Sequence, residues 1–258
     1  MIHWLARTEM LIGKHNIQKM EKSSVAIFGV GGVGSFVVEA LARAGLGNFM
    51  IVDDDKVCIT NLNRQLHATT KTLGKYKVDA MKERILEINP KANVCAVRKF
   101  YLPGEDDNII SSEFNYIVDA VDTVSAKIGL VVRANELNIP IISSMGTGNK
   151  IDPKMLTVTD IYKTKTDPLA RVMRKELKAR GIKKLKVVYS EEQPIKVKNN
   201  LENTACLENC ACPPGVERTC STRRSIPASI SFVPACAGLI IAGEVVRDLL
   251  GGLGDDNR

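Results

Sequence analysis

Four glycines within six residues, Gly29-Val30-Gly31-Gly32-Val33-Gly34, follow an apolar run at 24–29 (SVAIFG) and precede a stretch, 35–45, in which Phe36, Val37, Ala40, Leu41 and Ala44 recur at helical spacing. A strand, a tight turn and a helix satisfy all three segments at once. In that setting glycines let backbone N–H groups and the helix N-terminus close around phosphate, so the turn points to a bound nucleotide rather than to a merely structural bend. Asp53 ends the next apolar run, 48–53 (NFMIVD), at about the distance where a carboxylate reaches ribose hydroxyls.

The same alternation continues along the chain. Residues 75–89 place Val78, Met81, Ile85 and Ile88 on one helical face before Pro90 stops the helix. Runs at 93–98, 116–120 and 140–144 are expected as buried strands, with a helix at 127–137, a further strand at 156–161 and a basic amphipathic helix at 167–179. Strands alternating with helices predict an α/β fold, a Rossmann-like and mostly parallel sheet with helices on both faces. Beyond 190 the hydrophobic period disappears until 231–250, an apolar stretch expected as a buried C-terminal helix; the gap reads as a long lid loop in a C-terminal extension. The expected organisation is one domain: an N-terminal helical arm (1–22), a nucleotide-binding core (23–160), a basic helix with a cysteine-containing lid (161–225) and the C-terminal helix (226–258).

Residues 1–22 mix His3, Arg7, Glu9, Lys14 and Lys19 with apolar residues, which excludes an unbroken signal or membrane-spanning stretch there and predicts a cytoplasmic protein without a membrane partner. The net charge of +7 is uneven, because residues 163–198 hold twelve Lys and Arg against four Asp and Glu. A basic module on a near-neutral body suggests a polyanionic partner, with a solvated helix face as the alternative. Four of the seven cysteines, Cys206, Cys210, Cys212 and Cys220, crowd into one segment. Such crowding in a reducing compartment suits a Zn²⁺ or iron–sulfur site, reduced thiols on a lid, or a reversible disulfide.

A glycine turn and Asp53 do not separate a dinucleotide from ATP. The segment Asp53-Asp54-Asp55-Lys56-Val57-Cys58-Ile59-Thr60-Asn61-Leu62-Asn63-Arg64-Gln65, with Lys77 soon after, puts two cations, Arg64 and Lys77, near the phosphate cradle. Two cations exceed what a pyrophosphate bridge needs and suit a triphosphate whose leaving group must be neutralised. Asp122 lies just past an apolar strand, where it could hold Mg²⁺ against the phosphates or cap the next helix.

Together, Gly29-x-Gly31-Gly32-x-Gly34, Asp53-x-Asp55, Asn61-x-x-Arg64-Gln65, Lys77 and Asp122 resemble the superfamily of MoeB, ThiF and the ubiquitin-activating enzymes. Asn61 to Ala68 (NLNRQLHA), Glu87-Ile88-Asn89-Pro90, Ile151-Asp152-Pro153, Thr159-Asp160 and Asp167-Pro168-Leu169-Ala170 are similar, within it, to the tRNA threonylcarbamoyladenosine dehydratases. That resemblance implies ATP and Mg²⁺, and adenylation of the carboxylate of threonylcarbamoyladenosine in tRNA, followed by cyclisation as a neighbouring carbamoyl group displaces AMP. It also implies that Asp53 binds ribose, that Asn61, Arg64 and Lys77 position the phosphates, that Asp122 holds Mg²⁺, and that Arg7 serves the site of a second subunit in a homodimer. The cysteine segment departs from the paired Cys-x-x-Cys zinc arrangement of MoeB-type relatives. Competing expectations are adenylation of the C-terminus of a ubiquitin-like sulfur carrier protein, which has no need of the basic segment, an NAD-dependent oxidoreductase, which leaves 61–65 unexplained, and a nucleotide- or tRNA-binding module without catalysis.

Overall fold

Apolar runs too short for helices become strands when both of their faces can be covered, and in this chain they pair into one sheet. Its members are β1 (Ser24–Phe28), β2 (Asn48–Val52), β3 (Asn93–Val97), β4 (Tyr116–Asp119), β5 (Ile141–Ser144), β6 (Leu156–Asp160) and β7 (Lys186–Ser190), in the spatial order β3-β2-β1-β4-β5-β7-β6. Every pairing is parallel except that of β6 with β7. The computed structural model describes residues 3–104, 107–197 and 227–252. The expected lid with Cys206, Cys210, Cys212 and Cys220 lies outside the described residues.

The helices are α1 (Ala6–Ile12), α2 (Lys14–Lys22), α3 (Gly34–Arg43), α4 (Lys77–Ile88), α5 (Val124–Glu136), α6 (Pro168–Ala179) and α7 (Phe232–Leu250). Alternation along β1 divides them into two layers. Val25 and Ile27 enter a core with Val37 and Leu41 of α3, Met81 and Ile85 of α4, and Ala237 and Ile241 of α7. Ala26 and Phe28 point the other way, onto Ala126, Leu130 and Ala134 of α5. On that second face α6 adds Met173 and Leu177 against Val187 and Tyr189 of β7. The mostly parallel sheet covered on both faces, expected from the sequence, is therefore the architecture observed.

Local chemistry sets the helix ends. Asp167 caps α6 by accepting a hydrogen bond from the Ala170 N–H at 2.9 Å, and Pro168 occupies the first helical position, where its missing N–H costs nothing. The far end of α7 is fixed to the start of two strands: the Tyr116 hydroxyl donates to Asp248 at 2.6 Å, and Lys186 Nζ donates to the same carboxylate at 2.7 Å and to Glu244 at 3.2 Å. These bonds explain the charges inside an otherwise apolar segment. No described helix is long and apolar enough to cross a membrane.

The sequence predicts no strand between 180 and 190, yet β7 lies there, between β5 and β6. Its apolar run is only Val187-Val188-Tyr189, flanked by Lys183, Lys184 and Lys186, so the cations outweigh the pattern. Lys186 accordingly belongs to the framework and not to the free basic surface.

The Lys127–Asp119 ion pair is wholly interior. Lys127 Nζ donates to Asp119 Oδ2 at 3.0 Å and Oδ1 at 3.1 Å, and to the Ser144 carbonyl at 2.7 Å, with side-chain exposures of 1% and 0% for the pair. It ties the ends of β4 and β5 to α5. Removing one partner strands a buried charge, so Lys127→Met is expected to cost about 3–5 kcal/mol in urea unfolding, while Asp119→Leu with Lys127→Met costs less than that single change. Equal losses for the single and double variants would count against this account.

Candidate functional site

The sheet order reverses direction between β1 and β4, and the carboxyl ends of strands at such a point frame the crevice where open α/β sheets bind ligands. The glycine turn leaves β1 at that place. Gly29 has φ of 85°, and a Cβ on it would stand 2.6 Å from the Ala120 carbonyl oxygen at the end of β4. A Cβ on Gly34 would stand 1.8 Å from the Gly29 oxygen. Both positions require glycine for the turn to close against β4 and for α3 to begin beside it. Gly31 and Gly32 lie between them, half-buried, at the mouth of the turn.

Asp53, just past β2, braces this turn. Its Oδ2 accepts from the Val30 N–H at 2.7 Å and its Oδ1 from the Asp55 N–H at 2.9 Å. Burial pushes its carboxyl above the ordinary aspartate range, while the nearby Lys77 opposes that shift. Lys77 opens α4, buried, with Nζ 2.6 Å from Asp55 Oδ2 and 3.8 Å from Asp53 Oδ1. The carboxylate oxygens of Asp53, Asp54 and Asp55 lie within 4.8 Å of one another, a set of hard donors of the kind that suits Mg²⁺. The predicted companions Asp53, Asp55 and Lys77 are thus together, with the glycine turn alongside.

The segment after β2 folds back over the turn. Asn61 ends a short 3₁₀ turn, where its Oδ1 accepts from the Cys58 N–H at 3.0 Å, so it is the amide NH₂ that could serve a ligand. The Gln65 side chain reaches to 3.9 Å from the Cβ position of Gly31, and its buried Oε1 meets no partner among the described residues. Arg64 is held by its own segment, with Nη1 donating to the Thr60 carbonyl and to Asn63 Oδ1, each at 2.9 Å. Its Cγ lies 3.4 Å from the Cβ position of Gly32, which also has Pro234 of α7 at 3.3 Å. The start of α7 therefore packs on the turn as well.

Asp122 is exposed past the end of β4. It does not cap α5: the cap position belongs to Thr123, without a side-chain cap bond, and the Thr123 hydroxyl donates to Asp122 Oδ1 at 3.4 Å. Arg7 is not brought to this site within one chain. Leu5, two residues before it, packs on Gly45 beyond the far end of α3, and ten helical residues span about 15 Å.

Two features escaped the sequence. Lys127 appears in it as a lone cation in an apolar helix, Ser125-Ala126-Lys127-Ile128, and that isolation is the signal by which its burial with Asp119 could have been read. His67 is the second. It is buried, neither ring nitrogen has a partner among the described residues, and burial, helped by Lys77, pulls its pKa down to about 3.

With this geometry in place, the comparisons with known proteins are specific. The sequence model of the ThiF family matches residues 5–257. The tRNA threonylcarbamoyladenosine dehydratase of Bacillus subtilis is 43% identical over 251 residues, covering 97% of this chain and 96% of its own length. The crystal structure of the Escherichia coli tRNA N6-threonylcarbamoyladenosine dehydratase in complex with ATP superposes with a TM-score of 0.80 at 30% identity, covering 96% of this chain and 93% of that one. A more distant relative, the sulfur carrier protein ThiS adenylyltransferase of Escherichia coli, is 30% identical over 51% of this chain and 52% of its own.

The state of His67 has a consequence for stability. A folded pKa near 3 against an ordinary 6.5 means that, as pH falls below 6.5, the unfolded chain takes up a proton that the folded one refuses. Stability is full above that value and lost toward pH 3, at about 1.4 kcal/mol per pH unit. Between pH 7 and pH 5 the unfolding free energy of the wild type is expected to fall by about 2 kcal/mol more than that of His67→Leu, measured in urea. Parallel losses in the two proteins would refute it.

Proposed function

Because the chain belongs to the ThiF family, we propose that it uses ATP to adenylate the carboxylate of threonylcarbamoyladenosine in tRNA and then closes the ring with loss of AMP. The observation that carries this reading is the grouping of the glycine turn, Asp53, Lys77, Arg64 and Asp122 around the reversal point of the sheet, in a chain matching a dehydratase over nearly its whole length.

The chemistry follows from the parts. A carboxylate is a poor electrophile, and attack of its oxygen on the α-phosphorus of ATP expels pyrophosphate and leaves an acyl-adenylate. The carbamoyl group of the same nucleoside then attacks the acyl carbon and AMP departs, so proximity within the substrate replaces an enzyme nucleophile. In this reading the N–H groups from Gly31 to Gly34, at the start of α3, hold phosphate oxygens, those of Gly29 and Val30 being taken by the Val52 carbonyl and Asp53. Asp53, already oriented by Val30 and Asp55, accepts from the ribose hydroxyls. Lys77 and Arg64 neutralise the triphosphate, and Asn61 and Gln65 complete the wall. Asp122, exposed at the ligand edge past β4, would hold Mg²⁺. Bound there, the ion would neutralise phosphate charge as pyrophosphate leaves.

Arg7 belongs in this proposal to the site of a second subunit, making the active form a homodimer in the cytoplasm. The tRNA lies along exposed Arg171, Lys175, Lys178, Lys183 and Lys184, which follow α6 and the turn after it. Contacts of this kind read backbone and shape more than base edges.

Three outcomes test the proposal. ATP–pyrophosphate exchange should be stimulated by tRNA carrying threonylcarbamoyladenosine and not by a ubiquitin-like sulfur carrier; the reverse pattern selects the carrier-adenylating alternative that the ThiS adenylyltransferase similarity keeps in view. Asp122→Asn should lower exchange by at least about 100-fold with the thermal midpoint unchanged, as loss of a group stabilising transferred charge does; near-normal exchange would remove Asp122 from the reaction. Lys183→Ala with Lys184→Ala should reduce the slope of log affinity for tRNA against log salt by about 1 to 2, and an unchanged slope would take these residues out of the interface.

A further inference from the structure

Arg64 is a long, half-buried cation whose usefulness depends on where its guanidinium is set before substrate arrives. An arginine left to itself samples many rotamers, and ordering it on binding costs entropy. Here two acceptors hold Nη1, one of them Asn63 Oδ1. A guanidinium can only donate, so Asn63 must face Arg64 with its amide oxygen, and what can hold that amide in place is a commitment of its NH₂ elsewhere. That commitment exists: Asn63 Nδ2 donates to the Ser229 carbonyl at 3.1 Å, across 166 residues of sequence.

Ser229 is in turn held from the opposite side of the crevice. The Ala228 N–H donates to Asn149 Oδ1 at 2.8 Å, and the Asn149 N–H donates back to the Ala228 carbonyl at 2.8 Å. Asn149 also accepts from the Ile195 N–H at 2.7 Å, so one residue fastens three passages of chain. Its φ is 58°, a left-handed conformation that asparagine, aspartate and glycine tolerate better than other residues. The next residue anchors the connection between β5 and β6: Lys150 Nζ donates to Asp167 at 2.8 Å and to the Gly146 carbonyl at 2.7 Å, with exposures of 1% for both charged side chains. On the other flank, Pro234 seats the start of α7 against Gly32.

We propose that Asn63 and Asn149 are positioning residues for Arg64, with Asn149 clamping the chain at Ala228–Ser229 and that chain orienting the Asn63 amide, so that the β5–β6 connection sets the guanidinium over the glycine turn. The proposal rests on the assignment of Arg64 to the triphosphate. It separates two roles that a sequence motif merges: Arg64 meets substrate, and Asn63, its neighbour, acts only through it. It also links the basic α6 side of the molecule to the nucleotide crevice, because Asp167, which caps α6, is the residue that holds Lys150.

The test is a double-mutant cycle on ATP affinity and turnover in the full-length protein. Asn63→Ala and Asn149→Gly should each weaken ATP binding about 3- to 10-fold, the range expected for losing one hydrogen bond, and leave the KM for tRNA unchanged. Asn149→Gly keeps the left-handed backbone and removes only the side-chain acceptor, whereas Asn149→Asp keeps an acceptor and should lie within about twofold of wild type. In an Arg64→Ala background neither Asn63→Ala nor Asn149→Gly should weaken ATP further. Losses of the same size with and without Arg64 would overturn the proposal, as would Asn149→Asp no better than Asn149→Gly. Calorimetric ATP affinity without tRNA gives the same comparison, so a wild type that binds ATP but ignores modified tRNA defeats the proposed function and leaves this inference standing or falling on its own cycle. A wild type that binds no ATP defeats both.

Discussion

Everything at the crevice depends on one steric fact, the closeness of the turn after β1 to the end of β4. With the Cβ position of Gly29 only 2.6 Å from the Ala120 oxygen, and that of Gly34 1.8 Å from the Gly29 oxygen, two strands and a helix terminus converge where no side chain fits. The convergence leaves backbone N–H groups as the surface that faces a ligand, and such groups favour negative charge. It also leaves the Val30 N–H in need of a partner, and Asp53 supplies it. The carboxylate proposed for ribose is thus also a strut for the glycine turn, and its position follows from the β1–β2 pairing, which sets Val52 opposite Phe28.

Charge at this place is balanced narrowly. Asp53, Asp54 and Asp55 crowd their oxygens together, burial disfavours the ionised form of Asp53, and Lys77 counters that penalty from 2.6 Å to Asp55 and 3.8 Å to Asp53. Beside Lys77, His67 is kept neutral, since a second buried cation would add to a desolvation cost the acids already offset only in part. A triphosphate arriving there would add several negative charges to three carboxylates. That arithmetic is why the nucleotide reading calls for a divalent cation and for Arg64 in addition to Lys77, independently of any family likeness.

What the sequence could disclose was local. The glycine run, Asp53 at a strand end, Lys77 at a helix start and Asp122 past β4 are all legible because strand ends and helix starts are written in neighbouring residues. The alternative of Asp122 as a cap failed by one position, to Thr123, which is within the ordinary blur of helix boundaries. β7 was hidden because three apolar residues among lysines carry less signal than the cations do, and only burial between β5 and β6 makes them a strand. Asn63 with Ser229, Asn149 with Ala228, and Lys127 with Asp119 join segments whose proximity is a product of the completed fold. Of these only Lys127 left a trace, as a charge out of place on an apolar helix.

This division bears on how far the crevice itself can identify a substrate. A relative acting on a sulfur carrier protein is similar over only about half of this chain, whereas the dehydratase likeness extends over 97% of it. Activating a carboxylate makes the same demands whatever the acid is attached to, so a glycine turn, two cations and a few carboxylates cannot by themselves tell a tRNA from a protein tail. Discrimination has to reside where the two substrates differ, in the density of phosphate beyond the reacting group. In this chain the exposed cations of α6 and the turn after it, with Lys186 withdrawn into the framework by Asp248, are the charge available for that purpose. The Lys150–Asp167 pair ties that surface to the edge of the crevice, so the places proposed for the polyanion and for the nucleotide are set by one fold.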